Sequence, residues 1–343
     1  MITEIRSASP ENIAYAGRLI SEGKLVAFPT ETVYGLGANA LDAKAVEQIF
    51  VAKGRPGDNP LIVHIAEMEE LSGLVLDVPV NARKLMDAFW PGPMTLILPK
   101  RDCIPDTVSA GLDTVGIRMP GNASARALIA AAHCPIAAPS ANRSGRPSPT
   151  CAMHVFEDME GRIPLILDDG PCAVGVESTV IDAREDVPII LRPGGITPEM
   201  IDHCLGAVRL DEHILSPVQE GTTVRSPGMK YRHYAPEAKT VIFSGDEEKV
   251  REEIIRRYDA EREHGGKPVI LALDNHNYGQ REILSLGSVE EPEAAAARLF
   301  AALRELDHLG CTLALCEAVD TAGIGLAVMN RMGRAAGFDI VRL

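Results

Sequence analysis

The chain contains 343 residues, of which 46% are hydrophobic and 24% are charged. This length and composition are typical of a globular protein and predict roughly two domains of ~100–200 residues each. The formal charge of −14 divides into −9 for residues 1–207 and −5 for residues 208–343. Neither part has the net positive charge that is typical of nucleic-acid-binding proteins. A local basic groove is still possible, because net charge does not fix the distribution of charge.

The cysteines form no metal-binding or disulfide pattern. They are scattered and include no Cys-x-x-Cys pair, so neither a zinc site nor a disulfide framework is predicted. The N-terminus has no apolar signal core, and no window approaches ~18 uninterrupted apolar residues. We therefore expect a cytoplasmic protein without a membrane association. The seven cysteines are Cys103, Cys134, Cys151, Cys172, Cys204, Cys311 and Cys316.

The first elements alternate between helix, strand and polar turn. A helix capped by Ser9 ends at Gly23. Residues 25–28 then form a short buried strand, which runs into residues 29–37, a turn of hydroxyls, one carboxylate and glycines. A second helix follows and ends at Gly54, where glycine allows the chain to leave the helix.

The stretch 53–60 is the most distinctive part of the chain. It places Lys53 and Arg55 among two glycines and two prolines, and it leads into an apolar strand at 61–65 that contains His64. Glycine allows close backbone approach, and proline holds its neighbours extended. A stiff cationic loop that enters a buried strand is suited to hold phosphate or carboxylate. A solvated Lys/Arg turn remains the alternative for this motif taken alone.

The remaining elements of the first domain mix strands and helices. Helices are predicted at 81–90 and 122–132 and from Thr197 onward. Because the order lacks a strict strand–helix–strand rhythm, we expect an α/β sheet of mixed direction. The predicted strands are 94–98, 114–120, 136–138, 163–167, 178–182 and 187–191.

A linker and a second domain follow residue 207. Residues 208–237 are rich in proline, glycine and serine, yet residues 229–234 concentrate tyrosine, histidine and cations, which a simple spacer does not need. From residue 238 to 343, three strand–helix repeats predict a small doubly wound domain. No Gly-x-Gly-x-x-Gly motif follows its first strand, so a dinucleotide site there is not expected.

Four polar loops follow or interrupt buried strands in the first domain. In an open α/β sheet ligands bind at strand ends, so we expect loops 29–37, 53–60, 139–150 and 192–195 to converge on one pocket. Such a pocket would gather cations in an acidic protein and would suit a small polyanion such as a nucleotide. The cations are Lys53, Arg55, Arg118, Arg143, Arg146 and Arg192.

Several of these residues have ordinary structural alternatives. Thr30 and Thr32 could satisfy the backbone of their own turn, and His64 could be a core histidine. Arg118 needs a carboxylate partner if it is buried, from the protein or from a substrate. No P-loop, nucleophile elbow or zinc-protease motif occurs. The sequence therefore favours positioning and charge stabilisation, as in phosphoryl or nucleotidyl transfer.

An ordered set of motifs resembles one protein family. The set is Pro29-Thr30-Glu31-Thr32-Val33-Tyr34-Gly35-Leu36, Lys53-Gly54-Arg55-Pro56, Asn59-Pro60-Leu61, Trp90-Pro91-Gly92-Pro93-Met94-Thr95, Arg118-Met119-Pro120 and Ala138-Pro139-Ser140-Ala141-Asn142. It is similar to the motifs of the YrdC-like threonylcarbamoyl-AMP synthases. Residues 175–179, 192–194 and 226–236 extend the resemblance to the long, two-domain form of the family.

The resemblance implies a fold and a domain division. We expect a YrdC-like catalytic domain at 1–207, built on a twisted mixed open sheet with helices. A linker at 208–237 would reach over the active site. A smaller Rossmann-like α/β domain would occupy 238–343 and gate the pocket.

The resemblance also implies the reaction and its participants. L-threonine, bicarbonate and ATP would form threonylcarbamoyl-AMP and pyrophosphate, with Mg²⁺ carried mainly by the ATP phosphates. Downstream threonylcarbamoyl-transfer enzymes would use the product to modify an adenosine beside the tRNA anticodon. L-threonine would be held by Thr32, His64, Arg118, the backbone of Ala138 and Ser178. ATP would be held by Lys53, Arg55, Asn59, Thr114, Ser140, Asn142, Ser148 and Arg192, with Tyr234 closing over the nucleotide.

Two other functions stay open at this point. A double-stranded-RNA-binding, translation-associated module could also use a concave basic face, although the charge of −9 in residues 1–207 weighs against it. A weak RNA contact by a synthase is compatible with the same surface. A carbamoyl-phosphate-using maturation enzyme shares this type of domain, but its acylphosphatase-like and zinc-finger segments are absent here.

Overall fold

A computed structural model describes residues 1–216, 233–274 and 276–343. Within these ranges the chain forms two compact units. The first comprises residues 1–144 and 148–211, and the second comprises residues 145–147, 212–216 and 233–343. Most of the predicted aromatic and cationic run, residues 229–232, lies outside the described residues.

The first unit is built on a mixed sheet that has eleven strands over the described residues. The strands are β1 (Glu4–Ser7), β2 (Val26–Phe28), β3 (Gly35–Asn39), β4 (Ile62–His64), β5 (Met94–Pro99), β6 (Thr114–Arg118), β7 (Ile136–Ala137), β8 (Leu165–Asp168), β9 (Thr179–Asp182), β10 (Ile189–Arg192) and β11 (Arg209–Leu210). Their order is β1-β8-β2-β3-β7-β4-β6-β5-β9-β10-β11. The sheet contains both parallel and antiparallel pairs, such as the parallel pair of β4 with β6 and the antiparallel pair of β6 with β5.

Capping residues mark the ends of the first two helices of the first unit. Ser9 accepts a hydrogen bond from Asn12 N and so caps the first helix, and Asp42 caps the second by accepting from Lys44 N. Gly54 ends the second helix with φ of 63°. The helices are α1 (Pro10–Ser21), α2 (Ala43–Lys53), α3 (Leu71–Leu74), α4 (Val80–Phe89), α5 (Asp106–Ser109), α6 (Ala123–Ala132), α7 (Ala152–Met159) and α8 (Pro198–Leu205).

The core beneath the sheet centre joins α1 and α6 to β2. Ile13, Ile20, Phe28, Leu128 and Ile136 belong to one buried cluster. Burial of such side chains contributes about 1.5–3 kcal/mol each. The two helices approach closely because Gly17 of α1 lies against Ala131, where a Cβ would come within 2.6 Å of the backbone.

The turn predicted for residues 29–37 was wrong from Gly35 onward. Gly35 to Asn39 form β3, which pairs antiparallel with β2 so that Ala27 lies opposite Leu36. The glycines in this strand leave room for the Phe28 ring, since a Cβ on Gly37 would lie 2.9 Å from it. Periodicity of side chains cannot reveal a strand whose alternate positions are glycine, because these positions carry no side chain.

The second unit is a separate five-stranded sheet whose strands are all parallel. Its strands are β12 (Lys239–Ser244), β13 (Pro268–Ala272), β14 (Ile283–Ser285), β15 (Leu313–Glu317) and β16 (Ile340–Arg342), in the order β14-β13-β15-β12-β16. Its helices are α9 (Glu247–Glu263), α10 (Pro292–His308) and α11 (Gly325–Ala335). The predicted mixed sheet and smaller Rossmann-like domain are therefore confirmed, with β14 and β16 added to the predicted strands.

No helix among the described residues is long and apolar enough to cross a membrane.

Gly194 packs its Cα against the backbone that precedes β9, and an added methyl would have no space. A Cβ there would lie 2.4 Å from Thr179 N and 2.5 Å from Glu177 O. We expect Gly194→Ala to destabilise the protein by about 1–3 kcal/mol, because backbone atoms cannot move aside cheaply. Gly73→Ala is the matched control, since a Cβ on Gly73 meets nothing within 4 Å. Equal urea midpoints for the two variants would contradict the packing argument.

Candidate active site

Three polar loops of the first unit are bonded to one another. The turn before β3 joins the loop after β7, because Tyr34 N donates to Pro149 O at 2.9 Å and Tyr34 O accepts from Ala141 N at 2.8 Å. The same loop reaches the end of α2, where Ser144 N donates to Lys53 O at 3.0 Å. These bonds fix the backbone on which most of the predicted ATP contacts lie.

Lys53 ends α2 as a buried cation that is only 4% exposed. Its Nζ donates to Ser140 O and, at 2.6 Å, to Asn142 O. The Asn142 side chain is itself held, since its Oδ1 accepts from Ser140 Oγ at 2.5 Å and its Nδ2 donates to Arg143 O at 2.8 Å. Lys53, Ser140 and Asn142 therefore form one fixed corner with a positive charge, which suits a phosphate group.

Arg55 and Asn59 lie just beyond this corner. Arg55 Nη2 donates to Asn59 O at 3.1 Å, and this bond closes the loop that contains Pro56. The Asn59 side chain is 0% exposed, and neither its Oδ1 nor its Nδ2 has a hydrogen-bond partner among the described residues. A buried amide left in this state costs about 1–3 kcal/mol, so it points to a bound ligand or water. Thr114 is buried at the start of β6.

A row of polar side chains crosses three neighbouring strands. In the register of the sheet His64 of β4 lies opposite Arg118 of β6, and Thr95 of β5 lies opposite Arg118 on the other side. All three residues are buried. The sequence placed each of them in an apolar strand, and the register brings them together.

Arg118 has a partly satisfied guanidinium in this row. Its Nη1 donates to Thr32 Oγ1 at 2.9 Å, and its Nη2 lies 2.8 Å from Glu31 Oε1 in an ion pair. The Glu31 contact is not aligned as a hydrogen bond, and Arg118 Nε and Nη2 make none with any described residue. These two groups form the edge of a guanidinium that binds carboxylates through two parallel bonds. On this edge Nη2 is already paired with Glu31, and Nε is left without a hydrogen bond to any described residue.

The pKa values of Glu31 and His64, beside Arg118, are both lowered, for different reasons. Burial alone would raise the pKa of Glu31, but the Arg118 guanidinium and the backbone at Gly121 hold that pKa below its ordinary value. Burial, with the charge of Arg118, lowers the pKa of His64 to about 3. Glu31 is therefore ionised and His64 is neutral at physiological pH.

Neighbouring parts of the sheet hold the ring of His64 and the backbone of Ala138. His64 Nδ1 lies 3.3 Å from Ile136 O, and its ring packs edge-on to Phe28. Ala138 N donates to Ile62 O at 2.9 Å. Because that N–H is occupied, the Ala138 carbonyl is the backbone group that could face a ligand.

Arg192 is a second fixed cation, and Ser178 holds it. Arg192 Nε donates to Ser178 O and its Nη2 donates to Ser178 Oγ, both at 3.1 Å. Ser178 Oγ also contacts Thr95 Oγ1 at 2.8 Å. This network joins Arg192, which is predicted to bind ATP, to Ser178, which is predicted to bind L-threonine. Through Thr95 it also reaches the row of polar residues that contains Arg118.

Two carboxylates in the site were not predicted as site residues. Glu31 faces Arg118, and buried Glu177 accepts from Ser148 Oγ at 2.5 Å. The sequence carried a signal for Glu31, since it is the carboxylate between two threonines in a polar turn. Glu177 precedes Ser178 in an apolar region, where only the tertiary contact to Ser148 reveals it.

Three other predicted residues are Tyr234, Arg146 and Arg143. Tyr234 and Arg146 belong to the second unit, where Tyr234 packs on Phe300 at 5.0 Å between ring centroids and Arg146 Nη2 lies 3.7 Å from Asp307 Oδ2. Arg143 is exposed. Lys53, Arg55, Arg118 and Arg192 have the contacts described above, whereas the convergence of all six cations on one pocket and the role of Tyr234 over a nucleotide stay predictions.

Two family models together match most of the chain. One, described as "Telomere recombination" and named for Sua5, YciO and YrdC, matches residues 18–194. The other, described as the C-terminal domain of threonylcarbamoyl-AMP synthase, matches residues 196–337.

Full-length relatives and solved structures agree with the family models. The threonylcarbamoyl-AMP synthase of Pyrococcus abyssi is 47% identical and covers 100% of this chain and 99% of its own length. The Bacillus subtilis enzyme of the same name is 46% identical and covers 99% and 97%. The crystal structure of P. abyssi Sua5 complexed with L-threonine has a TM-score of 0.93 at 47% identity, over 100% of this chain and 99% of that one.

The motifs that suggested this family therefore lie on the family's fold, and the match extends through both units of the chain. The chain belongs to the threonylcarbamoyl-AMP synthase family, in its two-domain Sua5 form.

Proposed function

We propose that this chain synthesises L-threonylcarbamoyl-AMP from L-threonine, bicarbonate and ATP and releases pyrophosphate. The observation that carries the proposal is the buried guanidinium of Arg118, whose Nε makes no hydrogen bond with any described residue and could accept the carboxylate of an amino acid as its partner. Thr32 accepts a hydrogen bond from Arg118, His64 lies opposite Arg118 in the sheet, Ala138 follows the strand that pairs with β4, and Ser178 contacts Thr95. They would contact the amino and hydroxyl groups of L-threonine.

The fixed cations would hold ATP beside the amino acid. Lys53 and Arg192 are bonded to backbone carbonyls before any ligand arrives, so their charges are already aimed. Arg55, Asn59, Thr114, Ser140, Asn142 and Ser148 would complete the nucleotide contacts. The unpartnered amide of Asn59 supports this placement.

The chemistry needs positioned charges and no covalent nucleophile. The amine of L-threonine would combine with CO₂ or bicarbonate to form a carbamate. A carbamate oxygen would then attack the α-phosphate of ATP, and the bond to pyrophosphate would break. Lys53 and Arg55 would stabilise the charge that grows on the phosphates.

Mg²⁺ would accompany ATP and neutralise part of the phosphate charge. Ser140 and Asn142 offer oxygen donors of the type that Mg²⁺ prefers. These oxygens already surround the ammonium of Lys53. We therefore propose that the phosphates and water supply most of the metal's ligands.

The product would serve downstream threonylcarbamoyl-transfer enzymes that modify tRNA beside the anticodon. The alternative of a double-stranded-RNA-binding module is not favoured, because the full-length relatives are named as synthases. Weak RNA contact, a cytoplasmic location and a gating role for the second domain stay predictions.

The reaction itself provides the first test. Purified protein should release pyrophosphate from ATP only when L-threonine and bicarbonate are both present. The reason is that the carbamate, and not water, is the nucleophile. Release that ignores L-threonine would overturn the proposed function, and mass spectrometry of the product would identify the adenylate.

Arg55 provides a test of the phosphate site. We expect Arg55→Ala to lower kcat/KM for ATP by roughly 10²–10³-fold, because a preorganised charge on the phosphates is lost. Arg83→Ala is the control, since Arg83 is exposed on α4. An unchanged rate for Arg55→Ala would refute the assigned role.

His64 provides a test by pH. Its pKa falls from 6.5 to about 3 in the folded protein, so between these values the unfolded chain binds a proton that the native protein does not. The free energy of unfolding should therefore rise with pH across this window. The NMR shifts of the His64 ring should stay constant from about pH 8 to about pH 5, whereas an ordinary histidine titrates there. A titration near pH 6.5 would contradict the buried, neutral imidazole.

A further inference from the structure

Glu31 lies in the amino-acid part of the site and has no role in the reaction as described above. Its side chain is 15% exposed and its Oε1 lies 2.8 Å from Arg118 Nη2. Its Oε2 accepts a long, 3.4 Å hydrogen bond from Asn122 N. Oε1 makes no hydrogen bond with any described residue, so the carboxylate is placed but not fully used.

The partners of Arg118 leave its Nε without a hydrogen bond to any described residue. Thr32 occupies Nη1, and the Glu31 carboxylate stands beside Nη2 without an aligned bond. A ligand carboxylate on the Nε–Nη2 edge would therefore lie next to Glu31. Two carboxylates on one guanidinium repel each other unless a positive group lies between them.

The charges of the Arg118–Glu31 pair cancel each other. Arg118 is positive, Glu31 is ionised and His64 is neutral. A plain carboxylic acid would bring an uncompensated negative charge into a buried place, which is costly. An α-amino acid is a zwitterion, and it brings the carboxylate for Arg118 together with an ammonium for a neighbouring anion.

We propose that Glu31 binds the ammonium group of the amino-acid substrate, so that the Arg118–Glu31 pair selects a zwitterion over a hydroxy acid of the same shape. This inference rests on the proposed function, because it assumes that the amino acid binds at Arg118. It adds Glu31 to the site as a specificity-determining residue. Glu31 then both compensates Arg118 in the empty site and orients the amine that forms the carbamate.

The test compares two ligands that differ only in the ammonium group. L-threonine and (R)-3-hydroxybutyrate, which is L-threonine without its amine, are titrated by calorimetry into the full-length protein. The unchanged protein should bind L-threonine roughly 10–100-fold more tightly, the range of a hydrogen bond between charged groups. Equal affinities would overturn the inference without any substitution.

Glu31→Gln should move the two affinities in opposite directions. Binding of L-threonine should weaken roughly 10-fold or more, because the ammonium loses its anion. Binding of the hydroxy acid should strengthen, because Arg118 is no longer compensated. Glu31→Asp keeps the charge and should fall between Glu31→Gln and the unchanged protein.

Glu4→Gln is the matched control, since Glu4 pairs with Arg6 at 2.5 Å on the surface. It should leave both affinities unchanged. If Glu31→Gln shifts both ligands by the same factor, or shifts neither, Glu31 is merely structural and the inference is wrong. If Glu31→Gln does not fold, the ligand comparison on the unchanged protein decides. If that protein binds neither ligand, the proposed function fails instead.

Discussion

The buried guanidinium of Arg118 is the constraint on which the rest of the site depends. A cation removed from water costs several kcal/mol unless other groups compensate it. The sheet holds it in register between His64 and Thr95, and the turn before β3 brings Thr32 and Glu31 to it. The same charge keeps Glu31 ionised, and burial together with that charge keeps His64 neutral.

The cations that we assign to the ATP phosphates are held in a different way. Lys53 and Arg192 are held by backbone carbonyls and a serine hydroxyl, so their charges are fixed before an anion arrives. A ligand that meets fixed charges does not have to order them, which lowers the cost of binding. The acidic composition of the chain does not oppose this arrangement, because local placement and not net charge determines the field at a site.

Close backbone packing connects the residues assigned to ATP with those assigned to L-threonine. Gly194 lets the segment after β10 lie on the backbone of residues 177–179, where Ser178 joins Arg192 to Thr95. Glycines in β3 leave room for Phe28, which packs against His64. These contacts depend on the absence of a side chain. Small changes at such positions should therefore affect both stability and the geometry of the site.

The sequence by itself determined the fold class and the motifs that resemble the family, and that resemblance supplied the residues proposed for the ligands. The sequence did so because buried strands, capped helices and stiff Pro/Gly loops are local patterns, as in the helix after Ser9 and the loop that follows Lys53. It also identified Arg118 as a cation that needs a partner. Only the tertiary structure decided which partner that is, because Glu31 and Arg118 are distant in the chain and the fold brings the turn before β3 to the end of β6. Three other features also became visible only in the tertiary structure. The glycines of β3 hide the periodicity of that strand, and Glu177 is recognised only through its hydrogen bond to Ser148. The pairing of Arg146 with Asp307 in the second unit is the third. Patterns along a chain report local conformation, whereas charge pairing across a sheet depends on register and topology, which no local pattern contains.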